Sequence, residues 1–139
     1  MLTLTLPYPP SVNGYYATVG KRRIVSRRGL AFRASVIRSV PRIARLEGLL
    51  SMDVDIYPPS KRLYDVDNLA KALLDSLKHA GIYEDDSQVH RLCMTKRDVV
   101  KGGQIVLRVS RWEQTEPVAE RRGETQALRN AMFYGEHKP

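Results

Sequence analysis

Asp65 and Asp67 flank Val66 in the stretch Tyr64-Asp65-Val66-Asp67-Asn68-Leu69-Ala70-Lys71. In an extended segment, side chains two positions apart point to the same side, about 6–7 Å apart. If a helix starts at Asp67 or Asn68, Lys71 lies on the face of Asp67 one turn later. A second acidic group, Glu84-Asp85-Asp86, follows the turn Gly81-Ile82-Tyr83. Three carboxylates with no Cys or His close by suit a hard divalent cation, Mg²⁺ with Mn²⁺ able to substitute, better than zinc. Against a phosphodiester, such a cation lowers the pKa of bound water and neutralises charge growing on the phosphate. Lys71 then fits as a point charge that steadies the oxyanion or orients the attacking water.

A structural reading stands beside the chemical one. Asp67 and Asn68 are ordinary N-cap residues, Asp67 to Lys71 is an ordinary i,i+4 pair, and Glu84-Asp85-Asp86 can be a solvated turn. His79 and His90 read as helix-end and strand-surface residues, and Cys93, between Leu92 and Met94, reads as packing. Geometry also sets a condition. A helix over Asn68–Ala80 is about 20 Å long, so the second acidic group reaches the first only if the chain folds back along it. The strand that starts near Val89 supplies that return only if its start lies beside the helix's N-terminal end.

The elements that must position these groups follow from periodicity. Leu2, Leu4 and Leu6 alternate with Thr3 and Thr5, a half-buried strand ended by Pro7. Pro7 to Gly14 reads as a rigid loop with a turn, and Tyr15 to Ser26 as a short hairpin around Gly20-Lys21. Phe32, Val36 and Val40 recur at helical spacing between Arg28 and Arg45, where Pro41 should kink or divide the helix. Met52, Val54 and Ile56 mark a strand stopped by Pro58-Pro59. Leu69, Leu73 and Leu77 form the stripe of the next helix, with Gly81 as its stop. Val89–Thr95 and Gln104–Trp112 are strand-like, joined across Lys101-Gly102-Gly103. The order predicts an α+β domain, a mixed sheet covered by two helices. Residues 113–139 form a polar tail, compatible with a helix over Ala119–Phe133.

Charge indicates the partner. The 139 residues carry 23 Lys+Arg against 15 Asp+Glu. Up to Glu47 there is no acid, only Lys21, Arg22, Arg23, Arg27, Arg28, Arg33, Arg38, Arg42 and Arg45. A block of one sign repels itself unless a polyanion screens it, and the arginine fork grips phosphate bidentately. Nucleic acid is the expected partner. One cysteine supports neither a disulfide framework nor a thiolate metal cage. No apolar run approaches the ~18 residues of a membrane span, and the alternating N-terminus is not a secretory signal. The expectation is a cytoplasmic chain with no membrane partner.

At these residues the sequence resembles the RusA family of crossover-junction (Holliday junction) endodeoxyribonucleases. Leu6-Pro7-Tyr8-Pro9-Pro10-Ser11-Val12-Asn13-Gly14-Tyr15-Tyr16 is similar to its opening P-P-S-x-N-x-x-Y signature. Tyr64 to Lys71 resembles its D-x-D-N-x-x-K core, and Gly81 to Val89 its G-x-x-x-D-D-x-Q-V segment. The resemblance covers about residues 1–112. It implies a Mg²⁺-dependent homodimer that binds four-way junction DNA and nicks two strands symmetrically, in DNA recombination and repair. It implies catalytic and metal-binding roles for Asp65, Asp67 and Asp86, a catalytic role for Lys71, and an assisting one for Asp85. Asn13, Lys21, Arg22, Arg23, Arg27, Arg28 and Lys71 are the expected DNA contacts. Small proteins of this family are frequent in prophages, which makes a phage origin plausible. The competing reading is a non-catalytic basic dimer that binds branched DNA, with the acids serving only as caps. A third is an interaction protein whose tail docks a partner.

Overall fold

The computed structural model describes residues 1–113, so the expected tail and its Ala119–Phe133 helix fall outside the described residues apart from Glu113. The leucine alternation forms β1 (Leu2–Pro7), which turns Leu4 and Leu6 into the core. β1 lies antiparallel on β6 (Gln104–Arg111), with Leu4 opposite Leu107. β6 in turn lies antiparallel on β4 (Leu50–Tyr57). β5 (Val89–Lys96) runs parallel to β4 on its other side, giving the order β1-β6-β4-β5. Parallel neighbours need a crossover, and α3 (Asp67–His79) supplies it. β2 (Tyr16–Val19) and β3 (Arg22–Val25) form a separate two-stranded hairpin. The α+β expectation is met.

Local chemistry explains where helices depart from expectation. Ser11 accepts a hydrogen bond from the Gly14 N–H at 3.2 Å and closes a one-turn helix, α1 (Val12–Tyr15), where a loop was expected. Ser26 caps α2 (Arg27–Ser39) through the Gly29 N–H at 3.0 Å. The helix expected to reach Arg45 stops at Ser39. Pro41 has no N–H to donate and disfavours helical geometry at Val40, and residues 40–49 are irregular. Gly29 is required by packing: a Cβ there would lie 2.5 Å from the Tyr15 carbonyl oxygen.

Helices and sheet meet in one core. Leu69, Leu73 and Leu77 of α3 and Phe32 and Val36 of α2 pack with Met52, Val54 and Ile56 of β4. Tyr15 and Arg33 both hydrogen-bond Asp75, a link between α1, α2 and α3. Burial raises the Asp75 pKa, but the hydrogen bonds from Tyr15 and Arg33 win, and the carboxyl lies below the usual range. Arg33 therefore serves the core, although it was counted within the basic block. Among the described residues no helix is long and apolar enough to cross a membrane.

Asp55 of β4 points the other way from Met52, Val54 and Ile56 and is only 7% exposed. It accepts from Arg108 at 2.7 Å and Arg97 at 2.8 Å. The hydrogen bond from Arg108 lowers its pKa most; burial opposes, and Arg97 adds to the lowering. Asp55→Ala is expected to destabilise the fold by about 1–3 kcal/mol, because two guanidinium groups lose their acceptor. The loss stays below the 3–5 kcal/mol of a fully buried pair, since both arginines reach solvent. A urea titration checks it. The sign with pH is fixed: a lowered carboxylate stabilises fully above its unfolded value of ~3.9 and loses that contribution as pH falls through the native value. The difference between wild type and Asp55→Ala should therefore shrink only in acid.

Candidate active site

Asp65 and Asp67 lie where the loop from β4 enters α3. Val66, not Asp67 or Asn68, takes the cap position, in helical geometry and without a side-chain hydrogen bond. Asp67 is thus the first helical residue, and its carboxylate is exposed, as is that of Asp65. Among the described residues neither carboxylate has a salt bridge, and Asp67 makes none with Lys71. The capping and i,i+4 roles offered by the structural reading are not taken up. Among the described residues, two acids and an exposed ammonium thus stand without ion-pair partners between Asp65 and Lys71.

Beside them runs a groove of about 520 Å³, lined among others by Tyr8, Arg28, Pro59, Arg62, Tyr64 and Asn68. The Lys96 ammonium lies 4.4 Å over the Tyr64 ring and donates to the Tyr64 carbonyl at 2.6 Å. The end of β5 is thereby tied to the residue before Asp65. Sequence reasoning missed this groove; the signal was the repeated Tyr-Pro and Pro-Pro pairs, read only as loop chemistry. Leu63, on the same loop, is 95% exposed.

The second acidic group sits at the far end. Asp85 caps a short 3₁₀ turn (Asp86–Gln88) and pairs with Lys78, near the C-terminus of α3, at 3.1 Å. Hydrogen bonds from the Ser87 side chain, Lys78 and the Ser87 backbone hold its pKa at about 2. Gln88 reaches across to donate to the Leu46 and Gly48 carbonyls, fixing the turn. Asp85 thus serves the turn itself. Asp86 is half-buried, and its Oδ1 is buried with no hydrogen-bond partner among the described residues. Such an oxygen suits a cation or a donor arriving from outside.

Asp86 is not brought to Asp65 and Asp67 within one chain. β5 starts beside the start of β4, with Val89 opposite Leu50, and ends where Lys96 meets Tyr64. Its start therefore lies at the C-terminal end of α3, about 20 Å along the helix from Asp67. The condition set by the sequence fails within the chain. Among the described residues no group of three or more His, Cys, Asp or Glu could hold a metal ion.

The basic residues lie on one arm. Lys21, Arg22 and Arg23 are exposed on the β2–β3 hairpin, with Arg23 4.0 Å from the Tyr16 ring centre. Arg27 and Arg28 occupy the first turn of α2, where no acid offsets the positive helix end. Cations there oppose the helix dipole, so this turn favours an external anion. Arg28 also lines the groove beside Asn68, which joins the arm to the acidic loop. Asn13 is exposed on α1.

A basic α+β fold with unneutralised carboxylates and a lysine at one helix start has the makings of a nuclease. Comparison with known proteins agrees: the family model described as Endodeoxyribonuclease RusA matches residues 7–110. Crossover junction endodeoxyribonuclease RusA of Escherichia coli (strain K12) is 40% identical over 112 residues, covering 78% of this chain and 92% of the relative. The protein of that name from Enterobacteria phage 82 is 39% identical over 111 residues, covering 77% and 92%. That from Enterobacteria phage HK97 is 35% identical over 111 residues, covering 78% and 92%. The chain belongs to the RusA family of endodeoxyribonucleases, which makes it a hydrolase of DNA phosphodiesters.

Proposed function

We propose that this chain resolves crossover (Holliday) junctions as a homodimer, making paired symmetric nicks by Mg²⁺-dependent hydrolysis, with the nuclease unit in residues 1–112. Asp65, Asp67 and Asp86 are its metal ligands. The observation that carries this reading is the placement of the acids at opposite ends of α3 and of β5. Among the described residues β5 has a neighbour only on the β4 side and is one of the two edges of the sheet, β1 being the other. An exposed edge is a template for pairing with another chain. Antiparallel pairing of two β5 strands about a two-fold axis sets the start of one beside the end of the other. Asp86 of one protomer then comes to the side where the partner's Asp65, the partner's Asp67 and the partner's Lys71 lie. Two equivalent sites result, matching the two equivalent strands of a junction.

The donor set fits a hard cation: all-oxygen ligands, two unneutralised carboxylates and a buried oxygen without a partner. When bound, the cation lowers the pKa of attacking water and offsets charge on the phosphate. The chain's own residues do the rest. Asn13, Lys21, Arg22, Arg23, Arg27 and Arg28 hold phosphates, and Lys71 directs one positive charge at the scissile group.

A labelled four-way junction incubated with and without Mg²⁺ tests the proposal. Cleavage at two symmetry-related positions, only with the cation, is expected. Binding without cleavage would establish the basic junction-binding dimer instead. Two further outcomes are expected. Lys71→Met keeps the fold, the dimer and Mg²⁺ binding but loses about 10²–10³ in single-turnover rate, the usual cost of one preorganised donor. Arg at this position restores only part, because its planar fork places charge differently. Junction affinity falls steeply with salt, and each contacting arginine changed to Ala flattens the log–log slope by about one unit.

A further inference from the structure

We infer that the groove between Tyr8, Tyr64 and Pro59 seats one base of the substrate strand, next to the phosphate to be cut, and so sets the sequence preference of cutting. The inference rests on the nuclease reading and deepens it. Four observations converge on a nucleotide as the occupant.

The groove borders the acidic loop, since two of its lining residues, Tyr64 and Asn68, flank Asp65 and Asp67 in the chain. Its walls are flat and fixed. The Tyr8 and Tyr64 rings meet edge to face, 6.3 Å between centres and 83° between planes. Gly103, at φ +71°, backs Tyr8 so closely that a Cβ there would lie 2.8 Å from Tyr8 Cβ and 3.0 Å from Pro59 Cδ. The Gly103 backbone thus supports the Tyr8 side of the groove from behind. Aromatic walls stack any base, which is how single strands are commonly held.

The Tyr64 hydroxyl oxygen is buried and has no hydrogen-bond partner among the described residues. An orphaned buried hydroxyl calls for a partner, and the described residues supply none. A base edge offers donors and acceptors; an aliphatic ligand offers none. Arg28 and Arg62 complete the lining with two guanidinium groups. They match the phosphates on either side of a base and disfavour a cationic or apolar occupant. At a junction centre, bases are already strained from their stacks, which reduces the cost of drawing one out.

Two measurements test the inference on the full chain. The first compares wild type and Tyr64→Phe on a set of junctions that differ only in the base beside the cut. The variant should melt no lower than wild type, since the hydroxyl it loses has no partner among the described residues. The spread of rates between best and worst bases should shrink about five-fold, the worth of one net hydrogen bond. An unchanged spread, or a clear fall in melting temperature, overturns the inference. The second places 2-aminopurine at successive positions along a junction strand bound by Asp65→Asn protein. Fluorescence should change at one position flanking the cut, and Tyr8→Leu should remove that change. A uniform signal along the strand overturns the inference. If wild type cuts no junction at all, the nuclease reading fails by itself, and the fluorescence scan still reports on the groove.

Discussion

Asp65→Asn is expected to leave junction cleavage undetectable on the time scale of a wild-type reaction, with junction binding retained or tightened. The carboxylate is exposed and carries no salt bridge among the described residues, so its loss removes no packing and no internal partner. Stability should stay within about 0.5 kcal/mol of wild type. The amide is uncharged and a poorer ligand, so the cation is held less well. Changes to groups one step removed from a metal already cost about 10–100-fold, and a direct ligand should cost more. Removing a negative charge beside the phosphodiester also relieves repulsion, which is why affinity should not fall. Asp67→Asn should behave alike, because both acids stand at the same helix start. Gel shift and single-turnover cleavage on one junction separate the two effects. A variant that cuts at near wild-type rate with Mg²⁺ would remove that residue from the site.

Mixing two inactive proteins is expected to restore nicking. Asp65→Asn and Asp86→Asn homodimers each lack a ligand in both sites and should not cut. If each site draws Asp65 from one protomer and Asp86 from the other, the mixed dimer contains one site with both substitutions and one with neither. After subunit exchange, that intact site should nick one strand of a labelled junction, giving single nicks rather than paired ones. If both acids came from one chain, every site in the mixture would be damaged and no nicking would appear. The contrast is between activity and none, so modest differences in folding or affinity cannot imitate it. The two outcomes distinguish sharing across β5 from assembly within the chain, where about 20 Å of helix separates the groups.

The amino-acid order by itself determined what depends on neighbours a few residues away. Leucine alternation marks β1, the Leu69-Leu73-Leu77 stripe marks α3, and Gly20-Lys21 marks the hairpin, because side-chain direction repeats every two or about 3.6 residues. The nuclease family was legible too, since Asp65, Asp67, Lys71 and Asp86 keep their types and spacing whatever the packing. Pro41 was read as a kink or a division and proved to be the end of α2, leaving Arg42 and Arg45 off any helix. A proline disrupts a helix by local rules, but whether the chain resumes it depends on what the next turn can bury.

Tertiary structure decided the rest. The parallel pairing of β4 with β5 fixes which end of α3 receives Asp86, and no local periodicity encodes a contact across a 13-residue helix. Asp85 and Asp86 are alike as neighbours in sequence. Packing makes the first a cap paired to Lys78 and leaves the second with one buried oxygen that has no partner among the described residues. Arg33 was one of a run of basic residues until α3 placed Asp75 beside it. Charge type and spacing are properties of the chain. Whether a charge is neutralised, capped or left free is set by groups distant in sequence, and that depends on how the helices lie on the sheet.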